Sequence, residues 1–378
     1  MTRDRSAAVL KLLRPSVQAL PLYDPGADPE QVAQHCAGQP LLKLSNNENP
    51  LGVAPAALAV LRDYRPELLG LYPDPACLAL RHALGERLDT HPSQLIIGNG
   101  SENLLELLCL AFLDPGDRVV TQSPCFGLHE IFPLMMAAQV TKVAPHPDFS
   151  CNLGAWRSAL AGPSKMLLIS NPSNPLGTIF DQQALAQLIG AAASDTLLVI
   201  DEAYYEYACA DPDFPEVLGL LRAQHRPWIV LRTFSKAYGL AGLRVGYGIA
   251  SDASLVAALD RVRTPYNINQ LAQQAALAAL GDQQHVARSR AFAAQVRAPM
   301  IEALGAAGFQ VAPSRTHFLF IDTGVDAQEV NRRLLAQAMI IKAWREPGYE
   351  TCIRMTLAQP DDNARFLAGL QQAVQALR

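Results

Sequence analysis

Short apolar runs that stop at polar or glycine-rich turns, each followed by an amphipathic helical stretch, recur through the first two thirds of this 378-residue chain. Gln94-Leu95-Ile96-Ile97 gives way to Gly98-Asn99-Gly100-Ser101 and then to an apolar stripe over 104–112. The same order recurs at 118–121, 166–170, 197–201 and 228–233. Such alternation predicts a mainly parallel sheet covered by helices, an α/β fold. Ligands of open α/β sheets bind beyond the carboxyl ends of the strands. The polar groups collect there, at 100–101, 171–177, 201–204 and 235–236. These four segments, far apart in sequence, are expected to converge on one site.

Past the glycine-rich segment 241–248 the pattern predicts a helix over 253–263, then a break at Thr264-Pro265-Tyr266-Asn267 suited to a domain crossover. A second domain follows, read as a long helical pattern over 269–304, strands at 316–322 and 351–357, and a closing helix. The division is 1–45 for an N-terminal arm with part of the small domain, 46–263 for a large domain, and 264–378 for a small α+β domain. The arm is expected to fold onto the small domain.

Composition removes several classes of function. A net charge of −4 and a pI near 6.1 give no general electrostatic reason to bind nucleic acid or an anionic membrane, so an anion site must be local. Seven scattered cysteines without a CxxC pair suit reduced thiols and a cytoplasmic setting. No secretory leader, long apolar span, internal repeat or metal-ligand spacing is read.

The stretch Thr233-Phe234-Ser235-Lys236-Ala237-Tyr238-Gly239-Leu240-Ala241-Gly242-Leu243-Arg244 sets a lysine among small and hydroxyl residues, with an arginine eight positions on. A deprotonated lysine forms a Schiff base with a carbonyl, and a guanidinium with nearby hydroxyls holds a phosphate dianion. Pyridoxal 5′-phosphate (PLP) carries both groups. Asp201 ends an apolar run, where a carboxylate needs a proton or a cation, and a protonated pyridine nitrogen serves. Asn174, in a proline-stiffened turn, and Tyr204 are placed to hydrogen-bond a phenolic oxygen. Gly100, Ser101 and Glu102 open a helix whose first N–H groups suit a phosphate. Phe126 offers a ring to stack on a pyridine face. Taken singly, each has an ordinary reading: a solvated lysine, a helix-capping aspartate, a plain turn, a core aromatic.

Together these residues resemble the fold-type I PLP-dependent aminotransferases, and within them the histidinol-phosphate aminotransferase family. The resemblance spans nearly the whole chain. It includes Leu20-Pro21-Leu22-Tyr23-Asp24-Pro25-Gly26, Leu44-Ser45-Asn46-Asn47-Glu48-Asn49-Pro50-Leu51-Gly52, Leu71-Tyr72-Pro73-Asp74 and Cys352-Ile353-Arg354-Met355-Thr356, besides the motifs above. It implies a large domain with a mainly parallel seven-stranded sheet between helices, plus the smaller domain. Lys236 resembles the Schiff-base lysine that also moves the substrate proton. Asp201 resembles the pyridinium partner, with Asn174 and Tyr204 the ligands of the phenolic oxygen. Ser101, Thr233, Ser235 and Arg244 match phosphate-binding positions. Tyr72 is expected to reach the cofactor phosphate of a neighbouring subunit, which implies a homodimer with shared sites. Arg354 resembles the arginine that takes the donor's carboxylate and the phosphate of histidinol phosphate, assisted by Tyr23.

The chain departs from the family pattern at Leu51, Glu102, Phe126 and Leu176. It also has Lys342 where many members carry a second phosphate-binding arginine, which keeps the charge but loses the bidentate fork. Either Lys342 or Arg345 is placed to meet a substrate phosphate. The implied activity is amino transfer between L-glutamate/2-oxoglutarate and histidinol phosphate, with an aminotransferase of aromatic or other amino acids, or a threonine-phosphate decarboxylase, as the rivals. A PLP-binding regulator fused to a DNA-binding module is disfavoured, because the motifs begin by Asn46 and the arm lacks a basic helix-turn-helix pattern.

Overall fold

The computed structural model describes residues 9–36 and 38–378. After a short strand β1 (Leu42–Lys43) come β2 (Leu95–Gly98), β3 (Arg118–Gln122), β4 (Gln139–Val143), β5 (Met166–Ser170), β6 (Leu197–Asp201), β7 (Trp228–Thr233) and β8 (Gly246–Ala250). These seven form one sheet in the order β2-β8-β7-β6-β5-β3-β4. The pairs among β3 to β7 are parallel, and β8 runs antiparallel to both of its neighbours.

The central strands are apolar without alternation because helices cover both faces. Leu167, Ile169, Leu198, Ile200 and Val230 pack with Leu185 and Leu188 of the helix Gln182–Ala191. The intervening Leu168, Val199, Ile229 and Leu231 pack with Leu104 and Leu108 of the helix Ser101–Phe112. Each such side chain contributes roughly 1.5–3 kcal/mol by leaving water. The parallel strands therefore end together, and β5, β6 and β7 deliver Ser170, Asp201 and Thr233 to one edge of the sheet.

A second sheet is antiparallel, in the order β12-β13-β10-β9, from β9 (Gln310–Val311), β10 (Phe318–Asp322), β12 (Lys342–Ala343) and β13 (Cys352–Thr356). Strand β11 (Met339–Ile340) lies apart from it and pairs in parallel with β1.

One expectation needs correction, and two gain detail. The helical pattern over 269–304 is two helices, Gln270–Gly281 and Gln283–Ala306, because the Asp282 carboxylate accepts from the His285 N–H at 3.1 Å and caps the second. Ala272, Ala275, Ala276 and Ala279 of the first helix belong to the core of the seven-stranded sheet, as do Val286 and Ala293 of the second; Val296, Met300 and Leu304 belong to the other core. The helix Gln283–Ala306 thus runs from one core into the other. The arm touches both bodies: Arg14 donates to the Met135 carbonyl at 2.6 Å on the large sheet's side, while Cys36 reaches the Leu335 carbonyl at 3.2 Å beside β11.

All seven cysteines are free, and among the described residues no helix is long and apolar enough to cross a membrane.

Candidate active site

A cleft of about 590 Å³ opens at the carboxyl ends of β5, β6 and β7. Ser101, Glu102, Phe126, Asn174, Asp201, Tyr204, Thr233, Ser235, Lys236 and Arg244 line it, joined by Tyr23, Lys342 and Arg354 from the arm and the second sheet. The four polar segments singled out in the sequence do converge. Tyr72 does not face this cleft; it is 82 % exposed and stacks on Tyr266 with centroids 4.6 Å apart.

Lys236 follows the end of β7 by three residues, and its Nζ donates to the Asn46 carbonyl at 3.0 Å. Burial disfavours its charge, and the nearby cations Arg354 and Arg244 press the same way, so its pKa falls to about 7. A large fraction of this amine is therefore neutral near pH 7, the form that attacks a carbonyl.

One end of the cleft is built for a dianion. Gly100 takes φ +79° just before the helix Ser101–Phe112, whose first N–H groups are free of intrahelical partners. A Cβ on Gly100 would stand 2.5 Å from Arg244 Nη2, and one on Gly246 would stand 2.3 Å from the Ser101 nitrogen. These two glycines let β8 and the guanidinium approach the helix start. Thr233 Oγ1 donates to Ser235 Oγ at 2.9 Å, and Arg244 Nη1 reaches the same Ser235 Oγ at 3.4 Å. Arg244 also pairs with Glu102 at 3.0 Å, which holds its side chain over the helix start. Hydroxyls, backbone N–H groups and a cation thus meet where a phosphate of PLP fits.

Asp201 is 4 % exposed. Its Oδ2 lies 3.0 Å from His129 Nε2, and its Oδ1 accepts from the Ala203 N–H at 3.0 Å. His129 is fully buried on the helix Leu128–Met135, and its Nδ1 has no partner. Sequence reasoning missed it, because one histidine inside an apolar stripe carries no local sign of a carboxylate 72 positions away. Phe126 meets this histidine edge-on at 5.7 Å and Tyr23 edge-on at 6.3 Å, so its ring forms a wall between the arm and the Asp201 end.

The opposite wall gathers groups from both sheets. Arg354 on β13, 7 % exposed, donates to Asn174 Oδ1 at 2.6 Å and to the Ser45 carbonyl at 2.5 Å, leaving its Nε without an acceptor. Because Asn174 Oδ1 is taken, its Nδ2 is left as the donating end of the amide. Tyr204 Oη accepts from Asn47 Nδ2 at 2.9 Å, and burial lifts the phenol to about 12, so it stays protonated. Lys342 Nζ sits 3.1 Å from Asp24 Oδ2, and Arg345 Nε 4.0 Å from the same oxygen. Sequence reasoning gave Asp24 no role, although it lies beside Tyr23 in a quoted motif. It neutralises part of the charge expected to meet a substrate phosphate.

The aminotransferase class I and II family matches residues 39–370. This chain belongs to that family. Membership makes it a PLP-dependent transferase, with the fold class and cofactor implied by the resemblance. It is 41% identical over 360 residues to histidinol-phosphate aminotransferase 3 of Rhizobium meliloti (strain 1021), covering 95% of this chain and 97% of the relative. It is 43% identical over 350 residues to histidinol-phosphate aminotransferase 1 of Mesorhizobium japonicum, covering 93% and 95%. Among solved structures it is similar to histidinol-phosphate aminotransferase from Sinorhizobium meliloti in complex with pyridoxal-5′-phosphate, with a TM-score of 0.85 and 27% identity over 97% of this chain and 98% of that one. Within the aminotransferases the chain groups with these relatives. The cradle at Ser101, Ser235 and Arg244 fits the cofactor's phosphate, and Lys236 and Asp201 lie along the same cleft.

Proposed function

We propose that this aminotransferase moves an amino group between L-glutamate/2-oxoglutarate and histidinol phosphate/imidazole acetol phosphate in two half-reactions at one site. The observation that carries the reading is Arg354, a buried cation tied to Asn174 with one N–H unpaired, in a cleft whose mouth holds two further cations, Lys342 and Arg345. A substrate with an anionic group for Arg354 suits that wall, and the relatives named above support histidinol phosphate.

When bound, PLP supplies an electron-poor ring that takes up the electron pair released at the substrate α-carbon. The chain's residues do the rest. Lys236 would hold the cofactor's carbonyl carbon between turnovers and, once displaced by the substrate's amino group, would accept the α-proton as a neutral amine and so become an ammonium. Asp201, kept in place by His129 and the Ala203 N–H, supplies negative charge to the ring nitrogen. Tyr204 and Asn174 would donate to the phenolic oxygen, and Phe126 would offer its ring to the pyridine face. Gly100, Ser101, Glu102, Thr233, Ser235 and Arg244 form the phosphate end. Arg354 and Asn174 orient the donor's anion, with Tyr23 and Lys342 closing over it.

The exposed Tyr72, stacked on Tyr266, supports a homodimer in which it reaches the partner's cofactor phosphate. The free cysteines support a cytoplasmic location.

A single-turnover absorbance experiment tests the reading, with L-histidinol phosphate, L-glutamate, L-phenylalanine and threonine phosphate added separately to the PLP-loaded protein. Conversion to the pyridoxamine spectrum by both histidinol phosphate and glutamate is the expected result. Conversion by phenylalanine but not histidinol phosphate would replace the substrate, and carbon dioxide release from threonine phosphate would replace the reaction.

A further inference from the structure

Tyr204 has one proton to give, and the protein around it settles where that proton goes. Its oxygen accepts from Asn47 Nδ2 at 2.9 Å, and no group among the described residues accepts from it in turn. The Asn47 amide is oriented by Thr356, whose Oγ1 donates to Asn47 Oδ1 at 3.3 Å and accepts from the Asn47 N–H at 3.0 Å. Asn47 itself is fully buried and left-handed, at φ +53°, a conformation asparagine tolerates but needs neighbours to hold.

His317 provides that hold. Its Nε2 lies 2.9 Å from the Asn47 carbonyl oxygen, which can only accept, so the ring carries its hydrogen on Nε2. The imidazole is fully buried, its Nδ1 has no partner, and it stacks on Tyr207 with centroids 4.2 Å apart at 17°. Burial above all, with Lys236 and Arg354 adding repulsion, drives its pKa down to about 3, so the ring stays neutral and keeps this tautomer at physiological pH.

We propose that His317 and Asn47 are positioning residues that orient the Tyr204 hydroxyl as a hydrogen-bond donor into the cofactor cleft. The inference rests on the PLP reading only for the identity of the acceptor, the cofactor's phenolic oxygen. The wiring itself belongs to the protein alone. A tyrosine whose oxygen already accepts from an amide has its own hydrogen free for the cleft. If Asn47 presented an acceptor instead, that hydrogen would turn back into the protein.

The test begins without cofactor. In ¹⁵N-histidine-labelled apoprotein, His317 is expected to show the neutral Nε2–H tautomer without titrating near the ordinary histidine pKa of about 6.5; titration there overturns the proposal. The second arm measures PLP dissociation constants in a cycle. Asn47→Asp, which replaces the donor by an acceptor, is expected to weaken PLP binding about tenfold, as Tyr204→Phe does, the cost of one hydrogen bond. In the Tyr204→Phe background the same change is expected to cost little, since the partner it acts through is gone. An equal loss in both backgrounds overturns the proposal. His317→Gln, which keeps an N–H donor, is expected to retain more PLP affinity than His317→Ala, and equal losses in the two count against it. Failure of the unsubstituted protein to bind PLP would sink the cofactor reading while leaving the tautomer result standing.

Discussion

Arg354 Nη1 donates to Asn174 Oδ1 at 2.6 Å, and this one bond joins β13 of the antiparallel sheet to the loop that leaves β5 of the parallel sheet. The cation proposed to meet a substrate's anion is thereby fixed to an amide of the β5 loop. Arg354→Lys keeps the charge but cannot supply the same set of N–H groups to Asn174, Ser45 and an incoming anion. Charged hydrogen bonds contribute roughly 1.5–3 kcal/mol each. The KM for L-glutamate should therefore rise about 10- to 100-fold, with PLP affinity far less affected. Steady-state kinetics beside a PLP titration of the variant checks the split.

Lys236 gives a pH-dependent prediction with a definite sign. Its folded pKa of about 7 lies below its ordinary 10.5, so between these values the unfolded chain binds more protons than the folded one. The cost to stability is absent above the unfolded value, grows as the pH falls toward 7, and is fully present below it. Lys236→Met should therefore stabilise the cofactor-free protein more near pH 7 than above pH 10, measured by denaturant unfolding at each pH. The unsubstituted protein should capture PLP faster as the pH rises through about 7. The Lys236→Met variant should yield no borohydride-stable adduct at any pH.

Much of this was legible in the sequence because strands buried on both faces announce themselves: β5 and β6 are apolar up to Ser170 and Asp201, and β7 is apolar from Trp228 to Leu231 before Arg232 and Thr233. Strand β8 was hidden because it reads as a glycine-rich turn. Gly246 and Gly248 are there for close packing, since a Cβ at Gly248 would stand 2.9 Å from Ile229 Cδ1. His129, Asn47 and His317 were not assigned roles for a different reason. Each acts through a partner distant in sequence, and nothing in the local pattern of an apolar helix or a loop encodes the far end of such a bond.

Lys342 should discriminate between substrates. Its ammonium is held by Asp24 at 3.1 Å, so its positive field is partly cancelled before any phosphate arrives. Lys342→Ala should raise the KM for histidinol phosphate about tenfold, the loss of one charge-assisted contact, while leaving that for glutamate nearly unchanged. Asp24→Asn should act in the opposite direction, lowering the KM for histidinol phosphate most at low ionic strength, where a partly exposed charge is least screened. An equal effect of either change on both substrates would place these residues outside phosphate recognition.

The phosphate end gives the sharpest steric prediction. Gly246→Ala places a methyl group 2.3 Å from the Ser101 nitrogen, a backbone atom that no side-chain rotation can move aside. The helix Ser101–Phe112 must then shift away from β8, carrying its free N–H groups out of line with Ser235 and Arg244. PLP binding, read by fluorescence or equilibrium dialysis, should weaken by about a hundredfold, a loss of two or more hydrogen bonds to a charged group. Pyridoxal without its phosphate should bind the variant and the parent alike, because only the phosphate end has moved. Ala substitution at Gly242, where a Cβ meets nothing within 4 Å, is the control for a glycine change in the same segment and should leave both affinities as they are.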